Sequence, residues 1–316
     1  MKLVKESINF ERGKDPKSSL SIGVRSFIEE WFMKWAYDVD YKLDDNLNIF
    51  VEGNLDLMNS LIEKLPDKLT IEGYLNLNYT PIKDLPERLT VMGSLHLEGT
   101  SIRELPTDIF IGKSIYLTES KIEKLPDNLT VKGNLYLNKT CIKELPKNLS
   151  IEGSLHLEGT PIREITDDIF IGKSIYLTES KIEKLPDNLI VNGDLYLSNT
   201  PIKELPDNLT VKGNLYLNNT TIEKLSKGLT VESNLYLDNS FLREFRGDIS
   251  IGKSIYLSGS KIEKLPDNLT INGNLSLRNT SIKELPTNLK VIGNLFLNKI
   301  IKKIPESVKV YGEIIR

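Results

Sequence analysis

A frame of twenty residues, L-P-x-x-L-x-V-x-G-x-L-x-L-x-x-T-x-I-x-x, repeats without a gap from about Leu65 to Lys299. One full copy runs from Leu125 to Glu144. A fixed short period predicts a solenoid, in which each coil buries its apolar edge on its neighbours. It also turns every position of the repeat into a stripe on the surface. Function in such a chain is therefore sought in stripes.

Within each copy two short runs alternate, Leu129-x-Val131 and Leu135-x-Leu137. Alternation with β-branched residues reads as strand. Gly133 marks the corner between the runs, and Leu125-Pro126 marks the other corner. No segment between these landmarks has the length of an α-helix. The L-x-L pair recurs from Leu55/Leu57 to Leu295/Leu297, which gives thirteen coils. At roughly 4.8 Å per parallel strand, they predict a rod of about 60 Å. A longer period overlies the short one. Residues 109–129 and 169–189 are identical, and 249–269 differ from them at three positions. In these three coils the glycine moves one place earlier, to Gly112, Gly172 and Gly252.

The expected organisation is an N-terminal helical cap over residues 1–42 and a repeat domain over 43–316 that ends in a partial coil, Val308 to Arg316. In the cap, Val24, Phe27, Ile28, Trp31, Phe32 and Trp35 fall at helical spacing and predict one apolar face. Asp15-Pro16 offers the helix start. The first coil, Leu47 to Lys64, reads as irregular, with two extra residues in Asn48-Ile49-Phe50-Val51 before Gly53.

The repeat L-x-L-x-x-T-x-I-x-x-L-P, as in Leu195 to Pro206, resembles the leucine-rich repeat family, and its length and L-P pair resemble the short bacterial class. The fold class expected is thus mainly β: a leucine-rich-repeat solenoid of about thirteen parallel-strand coils with an N-terminal α-helical cap. The cap followed by such repeats also looks like leucine-rich proteins of bacteriophages and environmental bacteria. The family's asparagine is replaced by Thr or Ser, as at Thr80, Thr100, Ser120 and Thr140. A hydroxyl serves one backbone neighbour but cannot reproduce an amide's donors and acceptor. The leucine expected three places before the first L of L-x-L is replaced by residues such as Lys132, Glu152 and Asn192. Both departures favour two sheets and a straighter rod over a tight horseshoe.

Between the inward leucines of L-x-L, one residue points outward. From coil to coil that position reads Asp56, Asn76, His96, Tyr116, Tyr136, His156, Tyr176, Tyr196, Tyr216, Tyr236, Tyr256, Ser276 and Phe296. Seven of the twelve tyrosines stand in this one stripe. Small polar residues flank it, such as Asn134, Ser154 and Asp194 on one side and Asn138, Thr178 and Ser198 on the other. Tyrosine favours strands, and ring stacking stabilises a parallel sheet. Tyr among Ser and Asn is also the composition of recognition surfaces. Tyr116, Tyr136, His156, Tyr176, Tyr196, Tyr216, Tyr236 and Tyr256 are the candidate binding residues, with a protein or peptide as partner. Alanine at Tyr176, Tyr196 and Tyr216 is expected to abolish capture without unfolding. Glycan stacking is a third and weaker reading.

A second stripe alternates charge, Glu123, Lys143, Arg163, Glu183 beside Lys124, Glu144, Glu164, Lys184, and reads as register control. No catalytic, cofactor or metal site is expected. His96 and His156 lie three coils apart, Cys141 is the one cysteine, and every carboxylate is echoed in other coils. Net charge is −3, from 41 basic and 44 acidic residues, which gives no pull toward nucleic acid. No run approaches the roughly 18 apolar residues of a membrane span. Met1 to Ser7 carry no signal-peptide run, so a cytoplasmic, non-enzymatic recognition scaffold is expected. The alternative is a structural spacer or assembly component, phage-encoded and self-associating as a homodimer through an uncapped C-terminal edge.

Overall fold

The computed structural model describes residues 16–245 and 248–316. Met1 to Ser7 and Asp15, which bear on the leader and on the helix start, lie outside them. The chain is a mainly β parallel solenoid with one N-terminal helix, Pro16–Trp35. Each coil contributes one strand to each of two sides. On one side the L-x-L strands form a continuous sheet of fourteen strands, the thirteen repeats plus Ile314–Ile315 of the tail. Its register is twenty residues, as in Leu135↔Leu155 and Tyr136↔His156. The last step is one residue shorter, Leu295↔Ile314. On the other side the L-x-V runs also form strands, such as Thr130–Val131 and Ser150–Ile151. Strands rather than helices line this second side, as the missing leucine implies.

The inward residues Leu135, Leu137, Ile142 and Val131 are fully buried, and the same four positions fill one apolar core along the whole solenoid. Buried hydroxyls sit beside it. Thr80, Thr100, Thr140, Thr160, Thr200, Thr220 and Thr280 each donate Oγ1–H to the carbonyl three residues earlier, at 2.6 to 2.9 Å. The serines at this position fare differently. Ser120, Ser240 and Ser260 are buried and their hydroxyls find no partner among the described residues. The γ-methyl of threonine narrows χ1 and holds the hydroxyl on its carbonyl. Ser120→Thr, Ser240→Thr and Ser260→Thr are therefore each expected to stabilise the chain by about 0.5–1.5 kcal/mol. A thermal melt checks this, and a lowered midpoint would show that the methyl does not fit.

Two readings of the N-terminal end need correction. The first coil carries no extra residues. Ile49–Val51 pairs with Leu69–Ile71 in the twenty-residue register, Ile49↔Leu69 and Val51↔Ile71. The Ile49-Phe50-Val51-Glu52-Gly53 segment thus matches Leu69-Thr70-Ile71-Glu72-Gly73 one for one. The helix also covers the core with less of its face than its spacing predicts. Ile28, Trp31 and Phe32 are buried and Trp35 is half-buried, whereas Val24 and Phe27 are exposed. Among the described side chains of the helix, those buried over the first coil belong to its C-terminal half. Trp31 Nε1 donates to the Lys64 carbonyl at 3.1 Å, and the Phe32 ring stacks on Tyr41 at 3.9 Å. Tyr41–Leu43 then pairs antiparallel with Ile49–Val51 and covers that edge of the second side.

The second side is not continuous. It is divided into sheets of five, three, four and three strands. The three interruptions fall between Ile111 and Val131, Ile171 and Val191, and Ile251 and Ile271. Each follows a coil with the early glycine. At the regular corner Asn128, Asn148, Asn188, Asn208, Asn268 and Asn288 take a left-handed backbone, which asparagine tolerates. Asp108, Asp168 and Asp248 stand at the same corner in the three exceptional coils, and Asp108 and Asp168 do not adopt it.

Candidate functional site

The outward row of the fourteen-stranded sheet is a stack of rings. In-register pairing places each aromatic directly over its equivalent, one strand spacing away. Ring centroids are 4.4 Å apart for His96–Tyr116, 4.6 Å for Tyr116–Tyr136, 4.3 Å for Tyr136–His156 and 4.2 Å for His156–Tyr176. The series continues at 4.5, 4.4, 4.6 and 4.8 Å through Tyr196, Tyr216 and Tyr236 to Tyr256. Planes diverge by 5 to 21° along the stack. All eight candidate residues therefore lie together in one half-buried row. His96 joins the row, and Tyr74 closes it edge-on at 5.8 Å.

This geometry decides what the row offers. Ring faces are covered by neighbouring rings, so what remains open is ring edges and phenol oxygens. A sugar stacks on a ring face, and within the stack no face is free. The glycan reading loses its physical basis there. Burial pushes the phenols of Tyr196 and Tyr236 up from their ordinary value, and neighbouring Tyr216 adds to both. These two hydroxyls stay protonated and able to donate at neutral pH. Tyr196 donates to Asp194 Oδ2 at 3.3 Å, while Tyr136 accepts from Asn134 Nδ2 at 2.9 Å. Burial lowers the His96 imidazole below its ordinary value, against the pull of Glu98 and Asp56, so it is neutral at pH 7. His156 Nδ1 lies 3.4 Å from Glu158 Oε1.

The polar flanks do a different job from the one their composition suggests. In the row of Asn134, each side-chain oxygen from Ser114 onward accepts the main-chain N–H of the equivalent residue in the next coil. Ser114 Oγ takes Asn134 N–H at 3.0 Å, Asn134 Oδ1 takes Ser154 N–H at 2.8 Å, and Asp194 Oδ1 takes Asn214 N–H at 2.6 Å. The row of Asn138 includes the same device, with Asn218 Oδ1 on Asp238 N–H and Asp238 Oδ1 on Ser258 N–H. These side chains complete the sheet's hydrogen bonding, so the adaptable part of the face is the tyrosine row itself. Sequence reading missed this because the bonded partner stands twenty residues away.

In the charged stripe, unlike charges of neighbouring coils meet. Arg103 pairs with Glu123 and Arg163 with Glu183, one coil apart, and Lys224 reaches Glu244 at 3.5 Å. All are exposed and each contributes little. Cys141 is exposed. Among the described residues no group of three or more His, Cys, Asp or Glu is placed to hold a metal ion. No described helix is long and apolar enough to cross a membrane.

No protein-family model and no curated protein sequence matches the chain. Among solved structures it is similar to YopM, a leucine-rich effector protein of Yersinia pestis, at 17% identity and a TM-score of 0.39 over 81% of each chain. It is similar to YopM of Yersinia enterocolitica WA-314 at 16% identity and a TM-score of 0.34, over 83% of this chain and 78% of that one. A leucine-rich-repeat protein of Leptospira interrogans is 16% identical, with a TM-score of 0.40 over 81% of this chain and 90% of that one. These similar structures are leucine-rich-repeat proteins, the class that the chain's own L-x-L-x-x-T-x-I-x-x-L-P repeat resembles.

Proposed function

We propose that the chain is a non-enzymatic recognition scaffold that holds a protein or peptide against the tyrosine row of its L-x-L sheet. One observation carries the reading. Stacking needs rings but not hydroxyls, yet every aromatic of the outward row from Tyr116 to Tyr256 is Tyr or His and none is Phe. The row keeps a polar tip at each strand spacing, on a scaffold whose other sheet-face polar groups are largely engaged internally. Tyrosine combines apolar contact area with a hydrogen-bonding end and few rotatable bonds, which suits protein recognition.

A variant that keeps the stack and deletes the tips tests this. Tyr176, Tyr196 and Tyr216 are changed together to Phe, and both proteins are panned against a random peptide library. Wild type is expected to enrich peptides of a common pattern, and these should bind the triple Phe variant at least tenfold more weakly. Equal affinity for the variant, or no enrichment by wild type, would overturn the assignment.

A further inference from the structure

We infer that the solenoid is articulated: the three interruptions of its second side are hinges, and the continuous aromatic sheet is the leaf on which the blocks of coils turn. This does not depend on what the tyrosine row binds.

The construction of the first hinge shows why. The exceptional coil is drawn backward at both ends of its strand. At one end Asp108 Oδ1 accepts Arg88 N–H at 2.9 Å, from the preceding coil. A regular corner works forward instead, with Asn128 N–H on the Lys147 carbonyl at 2.9 Å and Asp127 Oδ1 taking Lys147 N–H at 3.0 Å. At the other end Gly112 N–H bonds the Val91 carbonyl at 2.8 Å, and only the lack of a Cβ lets this corner approach Met92 so closely. The Gly112 bond is the one that regular coils also make backward, as Glu152 N–H does to the Val131 carbonyl at 3.0 Å; what sets Phe110–Ile111 apart is the backward Asp108 bond and the missing ladder to the coil after it. Among the described residues nothing joins Thr130 N–H to the Ile109 carbonyl or Lys132 N–H to the Ile111 carbonyl. Their counterparts one coil on, Ser150 to Leu129 and Glu152 to Val131, bond at 2.9 and 3.0 Å.

The gap reaches the core. Ile109, Ile169, Leu189, Ile249 and Leu269 are only partly buried, while Leu89, Leu149, Leu209 and Leu229 at the same position are at most 1% exposed. A cleft of about 230 Å³ opens beside Phe110 and Leu129, and one of about 460 Å³ beside Phe170 and Ile190. Across the first hinge this side keeps, among the described residues, only the corner bond of Gly133 N–H to the Lys113 carbonyl, at 3.0 Å. In a solenoid, each interface between coils contributes its own share of cohesion, so an interface that has lost its strand ladder on one side yields first. The opposite side stays joined there, with Leu117 N–H on the Tyr136 carbonyl at 2.8 Å and Tyr116 stacked on Tyr136. Opening a hinge therefore curves the tyrosine face inward, and closing it straightens that face.

Spin labels on exposed residues of the second side test the motion. In a Cys141→Ser background, Glu152→Cys with Asn192→Cys spans the second hinge, and Asn192→Cys with Glu232→Cys spans the same number of coils inside one block. All three label positions are exposed. Pulsed electron resonance is expected to give a distance distribution at least twice as broad for the pair across the hinge. A variant with residues 168–174 replaced by the sequence of residues 128–134 restores the regular corners and should narrow it to the width inside a block. Equal widths for the two pairs in the parent protein would overturn the inference, and that comparison stands whether or not the exchanged variant folds.

Discussion

Alanine at Tyr176, Tyr196 and Tyr216 together is expected to destabilise the solenoid by about 2–6 kcal/mol, at roughly 0.5–1.5 kcal/mol for each stacked pair lost. Four pairs disappear: His156–Tyr176, Tyr176–Tyr196, Tyr196–Tyr216 and Tyr216–Tyr236. Urea denaturation followed by circular dichroism measures the loss. Tryptophan fluorescence would not suffice, because Trp31 and Trp35 both sit in the N-terminal helix. The triple Phe variant keeps every ring and should remain within about 1 kcal/mol of wild type. A triple Ala variant as stable as wild type would mean that the stack contributes nothing to cohesion. This outcome replaces the simpler expectation from sequence, in which alanine removes binding and leaves the fold untouched. The rings are both structure and surface, so only hydroxyl removal separates the two roles.

Gly112→Ala is expected to cost about 1–3 kcal/mol or more, as for any added carbon forced into a filled space. A Cβ there would stand 2.1 Å from the Met92 carbonyl oxygen and 2.8 Å from its carbon, and both are backbone atoms that no rotamer change can move aside. The coil would have to lift from its neighbour. Gly23→Ala makes the contrast. That glycine lies in the helix with nothing within 4 Å of an added Cβ, so the same substitution should stabilise by about 1 kcal/mol. Thermal melts of the two variants should move in opposite directions. A neutral Gly112→Ala would show that the exceptional coil is not pressed against the one before it.

The period of twenty made the coil, its two strands and its inward leucines legible, because each follows from alternation within a few residues. Register followed too, since every coil offers its neighbour the same pattern. Other features rest on relations that no short window contains. The first coil looked irregular because Asn48 was counted into the strand, while the ladder aligns Ile49 with Leu69. Val24 and Phe27 have the right spacing to be buried, but the first coil does not extend beneath them. The tyrosine stripe was legible as a row; the covering of its faces was not, because that depends on the distance between coils. The hinges left two marks in the sequence, Asp in place of Asn at a corner and a glycine one place early. Their meaning lies in backbone conformation and in which neighbouring coil receives the hydrogen bond.

The side-chain ladder beside the tyrosines has a direction. Asn54 Oδ1 receives Tyr74 N–H, Asn214 Oδ1 receives Asn234 N–H, and Asn274 Oδ1 receives Asn294 N–H. Wherever this row makes such a bond, the earlier coil supplies the side-chain acceptor and the later coil the main-chain donor. A chain leaving the ribosome N-terminus first thus completes each acceptor before the residue that needs it has been made. The helix and Tyr41–Leu43 close the starting end. Every finished coil then offers its successor side-chain acceptors already in place, while its own main-chain donors, such as Leu135 N–H, wait for a carbonyl of the coil to come, here that of Ser154.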